Sequence, residues 1–271
     1  MENVSSAYWL DVIGKIECGN TSCADGILAD SAKKGNQLVT FIVYDLPNRD
    51  CHAKASNGEI CCTTNPDGTC NYDAGGDCSA AIARYKSSYI DALVRVFSKY
   101  PSVPIVAIVE PDSLPNLATN QGDPHCGNSA TTAAYTIGIP YAVSSLTKLS
   151  HVSVRHNSKF VFFPLFIDLH LATTWQIFSS AAEQQVYLDA AHGGWLGWQN
   201  NIATFTTLLR QIGIPSMGIR GFSTNVANYQ PLGVACPQPD WCLPNSGHQG
   251  DECCNGACMP GTVLFLLWQT V

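Results

Sequence analysis

The stretch that decides the fold runs from Val103 to Asp112 and reads VPIVAIVEPD. Its apolar, β-branched part is typical of a strand buried on both faces, and such strands form parallel sheets. Two carboxylates, Glu110 and Asp112, follow directly where the apolar run ends. In barrels of parallel strands the active site collects at the carboxyl ends of the strands, so this ending predicts a functional edge.

Three further segments repeat the pattern of an apolar run that ends in polar residues. They begin at Leu38 (LVTFIVYDLP), Val186 (VYLDAAHGG) and Met217 (MGIRGFSTN). The polar residues at or just beyond these three ends are Tyr44, Asp45, Asp50, Asp189, His192, Asn225 and Asn228. A single ending of this kind is typical of an ordinary helix cap, whereas several of them favour a site.

Segments with helical character separate these strands. They cover residues 77–100, 129–149 and 200–213, and Pro140 is expected to interrupt the second. Asp77 is the predicted N-cap of the first helix. Its apolar residues recur at helical spacing, at Ile82, Tyr85, Tyr89, Leu93 and Val96. Strands alternating with amphipathic helices indicate an α/β fold with a parallel sheet covered by helices.

Composition narrows the class of protein. With 46% hydrophobic and 13% charged residues the chain is globular, and its net charge of −7 argues against nucleic acid as a partner. The apolar run GTVLFLLWQTV near the C-terminus is too short to span a bilayer, and MENVSSAYWL shows no secretory signal. Thirteen cysteines without paired C-x2-C spacing favour disulfides over metal and indicate an oxidising compartment.

Aromatic residues near the acidic strand ends suit a sugar ligand, which offers C–H faces for stacking and hydroxyls for hydrogen bonds. They are Trp9, Tyr44, Trp195 and Trp198. Hydrolysis of a glycosidic bond needs a carboxyl that stays protonated, which burial or a neighbouring negative charge achieves. Asp112 is one candidate donor, with Glu110 and Asp50 as neighbouring carboxyls, and Arg49 is expected to hold a carboxylate ionised. The residues alone do not separate Glu110 from Asp112.

Five ordered motifs closely resemble glycoside hydrolase family 6, the cellobiohydrolase II and endoglucanase group. They are YDLPNRDC, ASNGE, VEPDSLPNL, YLDAAHGGWLGW and RGFSTNVANYQ. The resemblance implies a distorted, incomplete β/α barrel of parallel strands with surrounding helices. It also implies hydrolysis of β-1,4-glucosidic bonds in cellulose or cello-oligosaccharides with inversion of the anomeric configuration. An extracellular monomer that needs no cofactor or metal and engages neither nucleic acid nor membrane is expected.

The resemblance also assigns roles to residues. Asp112 matches the general acid, Asp50 the aspartate that supports the acid's pKa, Tyr44 the tyrosine beside the distorted sugar, and Ser56 the serine that holds the attacking water. Glu110 is then a supporting residue, and Cys51 and Cys126 match a disulfide pair. The positions that match sugar-binding residues are Trp9, Asp11, Asn120, His192, Trp195 and Asn228.

Three segments depart from the family pattern. Residues 155–185 interrupt what reads as one strand, and we interpret them as a non-native insertion of translated non-coding sequence, the alternative being a functional lid. Residues 236–258 form a Cys-rich loop, and 259–271 an atypical apolar tail. The chain is therefore expected to be a single catalytic domain over 1–271 that lacks its C-terminal strands, with poor stability and weak activity. The alternative function is a non-catalytic glucan-binding remnant of the same fold.

Overall fold

The computed structural model describes residues 7–53, 55–149, 184–227 and 243–247 of the 271-residue chain. Within these residues five parallel strands form one sheet. The strands are β1 (Tyr8–Leu10), β2 (Val39–Val43), β3 (Ile105–Val109), β4 (Gln184–Asp189) and β5 (Gly221–Ser223). Four of them were predicted from apolar runs, and the short β1 was not.

The strand order in the sheet is the order in the chain, β1-β2-β3-β4-β5. Each connection therefore steps to the next neighbour in the same direction. A doubly wound sheet instead reverses its order at a switch point, and the described strands contain no reversal. Winding in one direction is the arrangement of a β/α barrel, and this confirms the predicted barrel-type fold.

The pairing register brings the strand ends into one row. The residues paired across the sheet at this level are Leu10, Val43, Val109, Leu188 and Phe222. Because the strands are parallel, the residues that follow this row all lie at the same edge of the sheet. The edge is where the polar residues that end the apolar runs come together.

Helices cover the sheet. They are α1 (Ala24–Lys33), α2 (Ser79–Arg84), α3 (Asp91–Ser98), α4 (Ser113–Thr119), α5 (Ser129–Thr147), α6 (Gly193–Leu196) and α7 (Gln199–Gln211). A π-helical segment, Tyr85–Ile90, joins α2 to α3, and two short 3-10 turns lie at Ile13–Lys15 and Ile214–Ser216. No helix of the described residues is long and apolar enough to cross a bilayer.

The helical run 79–98 confirms the predicted first helix, and the five periodic positions named above are all buried. Its start differs by one residue, because the N-cap is Cys78 and not Asp77. The Asp77 carboxylate accepts hydrogen bonds from the backbone N–H and the hydroxyl of Ser79, at 2.9 and 2.7 Å. Asp77 thus binds the first turn from just outside the helix.

The predicted interruption of the second helix is wrong, since α5 continues through Pro140. Proline removes a single backbone hydrogen bond from a helix, and packing of the turns on both sides can outweigh that loss. Here Ala134, Ile139 and Val143 are buried, and α5 contacts β3 and β4. The N-cap of the helix is Asn128, whose side chain accepts a hydrogen bond from the N–H of Thr131 at 3.0 Å.

β4 begins at Gln184, which pairs with Ile105 of β3. The strand therefore includes the last two residues of the segment 155–185, because ladder pairing uses the backbone and tolerates polar side chains. Residues 155–183 lie outside the described part of the chain, as do 259–271 and most of 236–258. The insertion, the Cys-rich loop and the atypical tail stay predictions.

Four disulfides brace the described residues: Cys18–Cys23, Cys51–Cys126, Cys61–Cys70 and Cys62–Cys78. The pair implied by the family resemblance, Cys51 with Cys126, is confirmed. The cluster near residue 62 pairs as disulfides, as its spacing indicated. The Cys51–Cys126 bridge ties the loop after β2 to the loop after α4, and Cys61–Cys70 and Cys62–Cys78 brace the segment between β2 and α2.

Candidate active site

A cleft of about 580 Å³ opens at the carboxyl edge of the sheet. It is lined by Trp9, Tyr44, Asp50, His52, Ala53, Ser56, Asp112, Asn116, Trp195, Val226 and Ala227. All four predicted catalytic residues lie in this cleft, together with two of the predicted sugar-binding aromatics. The elements that supply them are the ends of β1, β2 and β3, helices α4 and α6, and the loop after β5.

Asp112 follows β3 and directly precedes α4. Its backbone has a φ of 60°, and its N–H donates to the Asp189 carboxylate at 2.9 Å. Burial, and then the negative charge of Asp50, raise the pKa of the Asp112 carboxyl to about 6. Asp112 is therefore a neutral proton donor in mildly acidic solution, which is what a general acid requires.

Glu110 points away from the cleft. Its φ is 50°, and it is fully buried. Its carboxylate accepts hydrogen bonds from the Tyr85 hydroxyl at 2.7 Å and from the N–H groups of Asp45 and Leu46 at 3.3 and 3.2 Å. Burial raises its pKa to about 7, against the opposing effect of these bonds. Glu110 ties the end of β3 to the chain that follows β2, and only Asp112 reaches the cleft.

The turn between these carboxyls explains how the two residues face different environments. Pro111 has a ring-fixed φ, and the residues on both sides of it adopt left-handed backbone conformations. Non-glycine residues rarely adopt such conformations, and they concentrate at functional sites. Asp50, in the loop after β2, also has a left-handed backbone conformation, with a φ of 53°.

Asp50 accepts a hydrogen bond from the Tyr44 hydroxyl. Burial, reinforced by the charge of Asp50, raises the pKa of the Tyr44 phenol, so the hydroxyl remains a donor. This bond holds the tyrosine and the aspartate together beside Asp112, as the resemblance implied for both residues.

Arg49 does not contact the Asp50 carboxylate, and its partner is Asp45 at 3.3 Å. Burial outweighs the guanidinium here and raises the pKa of Asp45 to about 9, so Arg49 does not keep this carboxyl ionised at neutral pH. Arg49 also donates to the backbone oxygens of Asp11 and Ser56 at 2.9 and 3.1 Å. Its main effect is to hold the loop that carries Ser56 against the strand ends.

Asp189 is a residue whose role the sequence analysis missed. It ends β4 and is almost fully buried. One carboxylate oxygen accepts the N–H groups of Asp112 and Ala191, at 2.9 and 2.7 Å, while burial raises its pKa to about 7. Asp189 thus positions the backbone of the general-acid candidate, a role that depends on parallel pairing of β3 with β4.

Two aromatic rings flank the acidic centre. Trp9 is 36% exposed and packs edge-on against Tyr44, with 5.3 Å between ring centroids. Trp195 packs against the ring of His192 at 5.1 Å. Trp198 is 54% exposed, donates its indole N–H to the Gly194 oxygen at 3.1 Å and does not line the cleft.

Three other predicted sugar-binding residues lie beside the cleft and do not line it. Asp11 forms an ion pair with Lys15 at 2.5 Å, and Asn120 donates to the Asn116 side chain at 3.0 Å. His192 caps α6 by accepting the N–H of Gly194 at 3.2 Å, and burial lowers its pKa. Asn228 lies outside the described residues. The sugar contacts of all these residues remain predictions.

Five cleft residues were not identified from the sequence: His52, Ala53, Asn116, Val226 and Ala227. Asn116 follows Asp112 by four residues, one turn along α4, and its N–H donates to the Asp112 oxygen at 2.8 Å. Its helical spacing from Asp112 is a signal that could have identified it. His52 lies between Asp50 and Ser56 in the chain, and that position is the corresponding signal.

Comparison with known proteins gives a consistent result. The family described as "Glycosyl hydrolases family 6" matches residues 1–155 and 171–247. "Exoglucanase 3" of Agaricus bisporus is 35% identical over 241 residues, covering 87% of this chain and 42% of that protein. "Exoglucanase 2" of Hypocrea jecorina is 33% identical over 238 residues, covering 86% of this chain and 39% of that protein.

Solved structures show the same relationship. The catalytic domain of Cellulomonas fimi Cel6B has a TM-score of 0.58 at 30% identity, covering 83% of this chain and 43% of that one. The catalytic core of Cel6A from Chaetomium thermophilum has a TM-score of 0.56 at 28% identity, covering 90% and 55%. The chain thus spans about two fifths of the curated relatives named here. With the sheet order, the cleft and the family match in agreement, the chain belongs to glycosyl hydrolase family 6.

Proposed function

We propose that this chain hydrolyses β-1,4-glucosidic bonds in cellulose or cello-oligosaccharides, with inversion at the anomeric carbon and Asp112 as the general acid. The observation that carries the proposal is the carboxyl of Asp112 in the cleft, with a pKa raised to about 6 by burial and by Asp50. A 1,4-β-D-glucan is the polymer named for a relative from Aspergillus fumigatus, "Probable 1,4-beta-D-glucan cellobiohydrolase C".

In this mechanism a glucan chain lies in the cleft against the rings of Trp9 and Trp195. Asp112 donates its proton to the glycosidic oxygen as the bond from that oxygen to the anomeric carbon breaks. Water attacks the anomeric carbon from the opposite face, which inverts the configuration, and the proton that this water loses passes to the surrounding water. Asp112 takes up a proton from solvent before the next turnover. Ser56 is positioned to hold the attacking water, and the charge of Asp50 favours the protonated form of Asp112 before each turnover.

The first test is the substitution Asp112→Asn, which keeps the shape of the side chain and removes the acidic proton that the carboxyl donates. General acid catalysis contributes on the order of a hundredfold or more to rate, so we expect a loss of at least that size in kcat on cellohexaose. Sugar binding should change little. Product release and its anomeric form are measured by chromatography and by proton NMR immediately after mixing.

The matched control is Asp67→Asn, an exposed carboxylate that does not line the cleft. It should leave turnover unchanged. If the chain binds cello-oligosaccharides without forming product, and Asp112→Asn leaves that binding unchanged, the protein is instead a non-catalytic glucan-binding remnant. Product with retained configuration would contradict the inverting mechanism.

An extracellular location fits both the substrate and the disulfides. Four disulfides in the described residues require an oxidising compartment, and insoluble glucan is accessible only outside the cell. Reducing agent should therefore lower the melting temperature of the purified protein. Monomeric behaviour, the absence of a cofactor and the absence of nucleic-acid or membrane partners stay predictions.

A further inference from the structure

His125 lies beside the loop that carries Asp50 and Ser56. Its Nδ1 is 2.7 Å from a carboxylate oxygen of Asp73, and its Nε2 is 2.8 Å from the backbone oxygen of Cys51. Both partners accept hydrogen bonds and neither can donate one. A neutral imidazole has one N–H, so the two bonds can form together only when the ring is a doubly protonated imidazolium.

The charged and titratable groups around His125 come from three segments of the chain. Asp73 lies in the segment between β2 and α2 that the disulfides brace, and its carboxylate contacts His125. The Asp123 carboxylate accepts the backbone N–H of His125 at 2.8 Å. The ring of His52 stacks on His125 at 5.2 Å and has its Nε2 3.7 Å from Asp123, and the Tyr72 ring lies 5.3 Å away. His125 thus has two carboxylates, Asp73 and Asp123, and one imidazole, His52, as neighbours. The bond to Asp73 is the largest of the effects that raise the pKa of His125.

The bond to Cys51 connects His125 to the cleft. Cys51 lies between Asp50 and His52 in the chain, and both of those residues line the cleft. The disulfide to Cys126 holds the Cys51 side chain, and the His125 hydrogen bond holds the oxygen of the following peptide group. At the other end of the loop, Asn57 donates to the Asp50 oxygen at 2.9 Å.

We propose that His125 is a positioning residue that, as an imidazolium, orients the Cys51–His52 peptide and thereby holds Asp50 and His52 in the cleft. Its effect on catalysis rests on the function proposed above. Loss of the ring proton breaks one of the two bonds. Because the charge of Asp73 favours keeping the proton on Nδ1, Nε2 is the atom that loses it, and its lone pair then faces the Cys51 oxygen.

The sign of the pH dependence follows from the raised pKa. The contact is complete below the ordinary value of 6.5 and is lost as the pH rises through the higher value that His125 has in the folded protein. Asp112 loses its proton in the same direction, so the pH profile of the wild type alone does not separate the two groups. Substitutions at His125 do separate them.

The kinetic test compares His125→Lys with His125→Leu across pH 5 to 9. Lysine is a donor that keeps its charge over this range, whereas leucine offers no donor at any pH. We expect kcat/KM of His125→Leu to be roughly three- to tenfold below wild type at pH 5, and to converge on wild type at high pH. His125→Lys should equal wild type at pH 5 and exceed it as the pH rises. Wild-type-to-variant ratios that do not change with pH would overturn the proposal.

A second readout does not depend on turnover. Hydrogen exchange of peptides covering residues 50–57, corrected for intrinsic rates, should show protection that is lost as the pH rises. Asp73→Asn removes the carboxylate charge from an exposed residue, so we expect this loss to occur at lower pH than in wild type. The control Asp67→Asn changes another exposed aspartate of the same loop and should leave the transition in place.

The two experiments distinguish the two proposals. If no glucan is hydrolysed but exchange in 50–57 still responds to pH and to Asp73→Asn, the function proposed above fails and the role of His125 stands. If exchange is independent of pH, or identical in wild type and Asp73→Asn, the role of His125 is disproved whatever the activity.

Discussion

The role proposed for Asp112 as a proton donor requires that its carboxyl stay protonated in a cleft that water can enter. Two effects act on it: burial, which is the larger, and the negative charge of Asp50. Burial comes from the turn geometry around Pro111, which places the carboxyl between α4 and the strand ends. The contribution of Asp50 requires that its own carboxylate be held nearby, and the Tyr44 hydroxyl provides that anchor.

Asp50→Asn tests this coupling at the scale of one residue. Removing the neighbouring negative charge lowers the pKa of Asp112 from its value of about 6. Because the acid is active while protonated, we expect the high-pH limb of kcat/KM to move to lower pH and kcat at pH 6 to fall. The measurement is a pH–rate profile on cellotetraose. An unchanged limb, with Asp67→Asn as the reference variant, would show that burial alone sets the pKa.

Helix α5 shows what packing adds to an element. By intrinsic preference it contains two poor helix residues, Gly138 and Pro140, and yet it is continuous. A Cβ added at Gly138 would lie 2.6 Å from a methyl carbon of Leu46, which is fully buried. The glycine therefore permits close approach of α5 to the chain that follows β2, the same chain that leads to Asp50.

Gly138→Ala tests this close approach, because two effects predict opposite signs for the change in the free energy of unfolding. Helix propensity alone predicts that alanine stabilises the helix by about 1 kcal/mol. Overpacking against Leu46 predicts a cost of about 1–3 kcal/mol, and we expect this cost to win because the Leu46 side chain is fully buried. Thermal or urea unfolding measures the difference. Gly14→Ala is the control, since its added Cβ meets no atom within 4 Å.

At the scale of the whole molecule, carboxyls with raised pKa values gather behind and within the carboxyl edge. They are Asp45, Glu110, Asp112 and Asp189. Each binds its proton more tightly in the folded than in the unfolded chain, mainly because burial disfavours the charged form. Folding is then coupled to proton uptake over the range between the unfolded and folded pKa values.

This coupling predicts how stability depends on pH. Between pH 5 and pH 8 the folded state holds more protons than the unfolded state, so the free energy of unfolding should decrease as the pH rises. Calorimetric melting temperatures at intervals of one pH unit measure the effect. Asp45→Asn should reduce the slope, because the amide is neutral at every pH and Asp45 has the highest raised value, about 9. A melting temperature that rises from pH 5 to pH 8 would contradict the prediction.

The local pattern of the sequence was enough to predict four of the five described strands and the alternation that makes a parallel α/β sheet. Apolar runs and helical spacing reflect burial, which depends on the identity of each residue and its neighbours in the chain. The motif resemblance extended this to candidate catalytic residues, and Tyr44, Asp50, Ser56 and Asp112 all line one cleft. The short strand β1 and the helix through Pro140 were missed, since long-range packing decides both.

The tertiary structure supplied the physical reason for the different roles that the family resemblance assigns to Glu110 and Asp112. The two carboxyls follow one strand and look equivalent in sequence, but the left-handed turn aims one at Tyr85 and the other at the cleft. The tertiary structure also shows that Arg49 forms an ion pair with Asp45. It shows that Asp189 accepts the backbone N–H of Asp112, and that His125 bonds to the backbone oxygen of Cys51. The contacts of Asp189 and His125 join distant segments that strand register and loop packing bring together. Composition and periodicity indicate which residues are buried. The contact partner of a side chain, and the direction in which that side chain points, depend on three-dimensional packing.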